Sequence, residues 1–213
     1  MYDEYVAFNS FSELLKERLD NGIYTTEDSI RYLFFSQYLK EMCKDQNDFI
    51  LELPFSNQML GVDSTCLKNA ADDELDASFN TGLNSKIAIE FKYHRKTTAS
   101  DYPHTNSAGE LFNDIARLSL ITGCDKKYLV YVTDPEMDKY LDNNKRPAIL
   151  KKFYTMQTSE KISYQDVLDN CIQKTFQDAS KKSIIDSVRI NCEIFLVYRN
   201  DVKDHHIRIY QVL

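Results

Sequence analysis

The chain has 213 residues, of which 43% are apolar and 28% charged, with a formal net charge of −7. That length and apolar content suit one folded domain with a complete core and exclude a disordered chain. The negative balance excludes a surface coated in positive charge for non-specific nucleic-acid binding, but not a local basic groove, because phosphate contacts depend on where the cations sit.

The first residues, MYDEYVAFNS, carry acids where a secretory leader would carry bases, and no stretch has the length and apolarity of a membrane span. A cytoplasmic protein with no membrane partner is therefore expected. Cysteines 43, 66, 124, 171 and 192 form no Cys-x-x-Cys pair, so reduced thiols are expected rather than a zinc site or a disulfide framework.

In chain order, FNSFSELLKERLDNG (8–22) has the spacing of an amphipathic helix that Ser10 or Ser12 can cap and Gly22 can stop. TTEDSIRYLFFSQYLKEMC (25–43) predicts a longer helix capped by Thr25 or Thr26, with Ile30, Leu33, Phe34 and Tyr38 facing the core. The period then falls to two. DFILELPF (48–55) and DELDASF (73–79) predict strands, the second with Glu74, Asp76 and Ser78 on one face and Leu75, Ala77 and Phe79 on the other. After the turn-rich NTGLNS, KIAIEFKYH (86–94) predicts a third strand of the same meander. A polar loop leads to SAGELFNDIARLSLITG (107–123), at helical spacing, with Leu111, Ile115, Leu118 and Ile121 inward. KKYLVYVTD (126–134) then has the nearly continuous apolar run of a central strand reached through a crossover helix. Two more helices and a closing pair of strands are expected beyond it. The whole is an α/β fold, a mixed sheet flanked by helices, in one domain over 1–213 with a core at about 25–134 and an elaboration at about 135–213.

Three acid-x-Lys triplets occur, at 90–92, 125–127 and 201–203. Only Glu90 and Lys92 lie inside a strand whose other face, Ile87, Ile89 and Phe91, is wholly apolar. Read alone, such a pair is most often a solvated strand face. The neighbouring strand changes that reading, because a hairpin through the Gly-containing turn can set the carboxylates of Asp76 and Glu90 side by side. Two carboxylates so placed repel one another unless a cation lies between them, and all-oxygen ligation suits Mg²⁺ or Mn²⁺. With Lys92 one step along the same face, the set has the chemistry of metal-assisted phosphodiester hydrolysis.

An acid on one strand, Glu-x-Lys on the next and an αβββαβ order resemble the PD-(D/E)xK nuclease superfamily, whose fold is restriction-endonuclease-like. The resemblance spans roughly 25–134 and includes TEDSIRYLFF and ELFNDIARLSLI, which are similar to the helices on either side of the motif strands. Leu75 stands where the motif has proline. The resemblance implies that Asp76, Glu90 and the backbone carbonyl of Phe91 bind Mg²⁺, for which Mn²⁺ can substitute, and that Lys92 orients or deprotonates the attacking water. Glu27 matches an acid some members add to the site, with Asp28 as its neighbouring alternative and Glu74 as a rim acid. His94, Arg95 and Lys96 would contact the nucleic-acid backbone, while Arg117 has Asp114 within reach along its own helix. The implied activity is that of an endodeoxyribonuclease, with restriction-type cleavage of double-stranded DNA by a homodimer or by repeated nicking as the favoured role. Repair, recombination or phage-defence nucleases, RNA as substrate, and a non-cleaving nucleic-acid- or protein-binding module are the alternatives. His205 and His206, adjacent on a strand, face opposite ways and are not expected to share a metal.

Overall fold

The computed structural model describes residues 4–42, 49–55, 61–62, 64–68, 74–81, 85–95, 104–141 and 146–213. Helix α1 (Glu4–Asp20) buries Ala7, Phe8, Phe11, Leu15 and Leu19, an apolar stripe at three- and four-residue spacing. It starts earlier than the sequence predicts because Glu4 is anchored: its carboxylate accepts from Tyr128 Oη (2.8 Å) and Tyr38 Oη (3.1 Å) and pairs with Lys126 (2.6 Å). Gly22 stops the helix as expected. Its φ is +65°, and the Gly22 and Ile23 amides bond back to Leu19 and Arg18, a left-handed turn that a Cβ would strain.

In helix α2 (Glu27–Met42), Thr26 rather than Thr25 is the cap: the Ser29 amide donates to Thr26 Oγ1 at 3.1 Å. Ile30, Phe34 and Tyr38 are buried as their spacing predicts, joined by Phe35 and Met42, while Leu33 is only partly buried. Strands β1 (Phe49–Pro54), β2 (Glu74–Thr81) and β3 (Ser85–His94) form the expected antiparallel meander. Helix α3 (His104–Ser119) then carries the chain across to β4 (Lys126–Thr133), which pairs parallel with β3. This is the right place for an unbroken apolar run, and β4 is buried from Tyr128 to Thr133.

The C-terminal third departs from expectation. Among the described residues four helices follow β4 where two were expected: α4 (Pro135–Leu141), α5 (Ala148–Thr155), α6 (Tyr164–Asn170) and α7 (Lys174–Ser180). Asp134 caps α4, accepting from the Met137 amide at 2.8 Å, and Pro135 occupies its first turn. SYQDVLDNCIQKTFQDA (163–179), whose sequence reads as one helix, forms two, because at Cys171 the backbone leaves helical geometry (φ −99°, ψ 69°). A short strand, β5 (Lys161–Ser163), precedes the closing hairpin of β6 (Glu193–Val202) and β7 (His205–Val212).

All seven strands lie in one mixed sheet, in the order β1-β2-β3-β4-β7-β6-β5. Helices α1 and α2 cover one face, packing on Ile87, Ile89, Phe91, Val130, Val132, Ile207 and Ile209. Helices α3, α5, α6 and α7 cover the other, over Ala88, Leu129, Tyr131, Leu196 and Tyr210. Among the described residues no helix is long and apolar enough to cross a membrane. Cys171 and Cys192 are buried free thiols and Cys66 and Cys124 partly buried ones, while Cys43 lies outside the described residues.

Candidate functional site

The β2–β3 ladder runs from Thr81↔Ser85 to Ala77↔Ile89 and then ends, although one more step in the same register would set Asp76 opposite Glu90. The reason is a slip in β2. Ser78 pairs with Ala88 on the α3 side of the sheet, yet Leu75, three residues away, is buried on that same side beside its partner Leu53. Regular alternation would put them on opposite faces, so the expected grouping of Leu75 against Asp76 and Ser78 does not hold. Glu52, between the two β1–β2 pairs that flank Asp76, has φ +51°, the kind of backbone departure that accompanies such an irregularity.

The slip turns Asp76 toward the vacated edge of β3. Its Oδ2 accepts the Phe91 amide at 2.6 Å, replacing the strand neighbour that the ladder no longer supplies. Two residues on, Glu27 Oε2 from the first turn of α2 accepts the Tyr93 amide at 2.8 Å. Carboxylates on two separate elements thus cap consecutive edge amides of the same strand. In a strand the carbonyl of a residue leaves on the same edge as its amide, so the Phe91 carbonyl opens onto the side where Asp76 sits.

Glu90 and Lys92 project to the α3 face. Glu90 is 2% exposed. Burial raises its carboxyl well above the usual range, against the pull of Arg117 and with the Asp76 and Asp114 carboxylates adding to the rise. The Asp76 carboxylate is thus close enough to Glu90 to raise it. The two carboxyl groups are neighbours, though not through the hairpin pairing expected of them, which ends at Ala77 and Ile89. Burial also raises Glu27, with Lys92 and the Tyr93 amide opposing. For Lys92, burial works to lower the ammonium, but the Asp114 and Glu27 carboxylates outweigh it and the pKa is raised.

Three partners of these groups were not singled out as site residues. Arg31, one turn along α2 from Glu27, donates to Asp76 Oδ1 at 2.6 Å and lies 3.5 Å from Glu52. On α3, Arg117 Nη2 lies 3.0 Å from both Glu90 Oε1 and Asp114 Oδ1, so the expected intrahelical pair forms and extends to the strand. Asp114 Oδ2 in turn lies 3.0 Å from Lys92 Nζ. Four acids and three cations therefore meet where β3 passes between α2 and α3. Helical spacing alone brings Glu27 and Arg31 onto one face, and Asp114 and Arg117 onto another, so that spacing was the signal available for the missed residues.

Asp28 is largely exposed and lies 3.8 Å from Arg31, and Glu74 is exposed, so both stand at the rim of the cluster rather than within it. At the strand end, His94 Nδ1 lies 3.0 Å from Tyr131 Oη. Arg95 donates to the Thr25 carbonyl (3.1 Å) and to Tyr24 Oη, with its guanidinium 4.5 Å from the Tyr24 ring centroid, tying the α1–α2 connection to β3. Lys96 lies outside the described residues. His205 and His206 part company as expected: the first bonds Tyr93 Oη (2.8 Å), and the second pairs with Asp201 (2.7 Å) and Asp138 (3.3 Å).

The donor set suits a hard cation. Asp76, Glu90 and the Phe91 carbonyl offer oxygen only, each carboxylate oxygen has a second lone pair beyond its present partner, and Mg²⁺ takes one or two carboxylates and keeps several waters. Among the described residues, no group of three or more His, Cys, Asp or Glu side chains converges as a metal site. A bound ion would therefore rest on the two carboxylates and the carbonyl. No family model, no curated protein and no solved structure matches the chain.

Proposed function

We propose that this chain is a Mg²⁺-dependent endodeoxyribonuclease of the PD-(D/E)xK kind with a restriction-endonuclease-like core. The observation that carries the proposal is the buried Glu90 carboxyl set against Asp76 at the edge of β3, with Lys92 one step on along the same face. Burying a carboxylate costs several kcal/mol, and a fold under pressure for stability alone does as well with an apolar residue there. Two of them, side by side, have a use when a cation is shared between them.

Asp76, Glu90 and the Phe91 carbonyl would hold Mg²⁺, or Mn²⁺ in its place. When bound, the ion supplies Lewis-acid polarisation of a phosphate oxygen and lowers the pKa of a water. The chain's own residues do the rest. Arg31 and the Phe91 amide fix the Asp76 carboxylate from two sides. Lys92 keeps its proton at Nζ, raised as it is by the surrounding acids, and so acts as a fixed positive charge that offsets the charge growing on the phosphate. Glu27, anchored on the Tyr93 amide, would orient water. His94, Arg95 and Lys96 would meet the DNA backbone beyond the strand end, with Arg95 already oriented by Tyr24 and Thr25. Double-stranded DNA is the favoured substrate and restriction-type cleavage the favoured role. One such site cuts one strand, so cutting both takes a homodimer or two nicks.

A second reading draws on the arginines. Arg31 already neutralises Asp76, and Arg117 Glu90, so the same cluster serves a nucleic-acid-binding module that does not cut. Incubation with plasmid and linear DNA in Mg²⁺, Mn²⁺ or EDTA separates the two, with Lys92→Ala alongside. Metal-dependent cleavage that falls by about 10²–10³ in the variant supports the nuclease. DNA retention in EDTA without cleavage in either metal supports the binding module.

A further inference from the structure

We propose that Asp114 and Arg117 of α3 are positioning residues for the nuclease site, Asp114 holding the Lys92 ammonium and Arg117 holding the Glu90 carboxyl. The inference rests on the nuclease reading and assigns work to a helix that carries none of the motif residues. The four side chains form a chain in which acidic and basic groups alternate, Glu90–Arg117–Asp114–Lys92, with each link at 3.0 Å. Its two ends return to the same face of β3, two residues apart.

A structural ion-pair network is the plain alternative, and two features argue against it as the whole account. Buried ion pairs add little stability over well-packed apolar residues, yet Asp114 is 5% exposed and sits in a helix otherwise packed through Leu111, Phe112, Ile115 and Leu118. The network also terminates on the two β3 side chains proposed to meet ion and phosphate, where a misplacement of about 1 Å can cost 10²-fold in rate. Lys92 is a long side chain with much rotamer freedom, and a fixed partner is what makes it a fixed charge. Asp114 is that partner, and Arg117 keeps Asp114 from rotating away. The Arg117 guanidinium is in turn seated over the Phe55 ring, 5.2 Å from its centroid.

The test is a double-mutant cycle on single-turnover cleavage, with Asp114→Asn, Lys92→Ala and the two combined, read beside melting in EDTA and the Mg²⁺-induced melting shift without DNA. Asp114→Asn is expected to slow cleavage by about 10–100-fold, the usual effect of losing a group that supports a site residue, with KM and the Mg²⁺-induced shift close to wild type. In the Lys92→Ala background it should slow cleavage no further, because a residue acting through Lys92 has nothing left to hold. Asp114→Ser is the second variant if the amide does not fold. Wild-type rate in a folded Asp114 variant, or the same loss in both backgrounds, would overturn the assignment. Absence of metal-dependent cleavage by the wild-type chain would instead remove the nuclease reading, and it is seen before any variant is made.

Discussion

Asp76 and Glu90 face each other, but their surroundings make them unequal, and substitutions should show it. The Asp76 carboxylate accepts a charged donor and a backbone amide, so Asp76→Asn gives up a charge-assisted contact to Arg31. A loss of about 1.5–3 kcal/mol in the metal-free protein is expected, whereas facing carboxylates read from sequence alone would suggest relief of repulsion. Relief belongs to Glu90, whose burial favours the neutral form. A carboxyl raised in the folded state stabilises the fold fully below the unfolded value of about 4.3, and that contribution is lost as pH rises through the folded value. Glu90→Gln is neutral at every pH, so it should melt higher than wild type at pH 8 in EDTA, with the advantage shrinking toward pH 4. Urea or thermal melts at the two pH values check this, and a pH-independent difference would mean that Glu90 is ionised at no net cost. The thiols give a simpler test of burial. Burial pushes Cys171 up to about 11 and Cys192 up to about 12, so both should resist alkylation at pH 8 until the protein unfolds, as peptide mapping would report.

Among the elements, α3 depends most on close packing. A Cβ on Gly109 would stand 2.6 Å from Ala179 Cβ and 2.6 Å from the Phe176 carbonyl oxygen, so α3 and α7 touch backbone to backbone there. Gly109→Ala must push the helices apart, and overpacking of this kind costs about 1–3 kcal/mol in urea unfolding. Because α3 also carries Asp114 and Arg117, cleavage should fall in the folded fraction as well. Gly22→Ala meets open space and should cost only the positive φ, roughly 1 kcal/mol, without touching cleavage. The elements that were legible in the sequence share a long, unmixed period. Alternation in β3 placed Glu90 and Lys92 on one face, and the apolar run of β4 marked a buried parallel strand. Asp76 was found for a partly different reason than its geometry shows, since the slip in β2 leaves no local sequence mark. Arg31 and Asp114 escaped because a helical residue announces a face and not what lies across from it. The break between α6 and α7 contains neither Gly nor Pro, and β5 is too short to show any period.

At the scale of the molecule, the sheet decides what can be removed. A core at 25–134 with a C-terminal elaboration implies that the elaboration could be trimmed, but the pairing says otherwise. β4, the last strand of that stretch, is paired on one side by β3 and on the other by β7 from the far end of the chain, with Tyr128 opposite Gln211 through Thr133 opposite His206. Deleting 135–213 would leave β4 as an apolar edge with its outward amides and carbonyls unpaired. It would also uncover both faces at once, taking Ile207, Ile209, Tyr198 and Val202 from beneath α1 and α2, and Phe153, Tyr164, Phe176 and Tyr210 from the α3 side. Arg208, 3% exposed and bonded to Thr133 Oγ1 (3.1 Å), ties the two parts with a polar contact as well. The fragment 1–134 is therefore expected to lack a cooperative unfolding transition and to bind a hydrophobic dye, while the full chain melts in one step with coincident near- and far-ultraviolet circular dichroism. A cooperative fragment that still shows Mg²⁺-induced stabilisation would mean that the part of the sheet proposed to hold the ion stands without β7, and the two halves would then be separate folding units on a shared sheet.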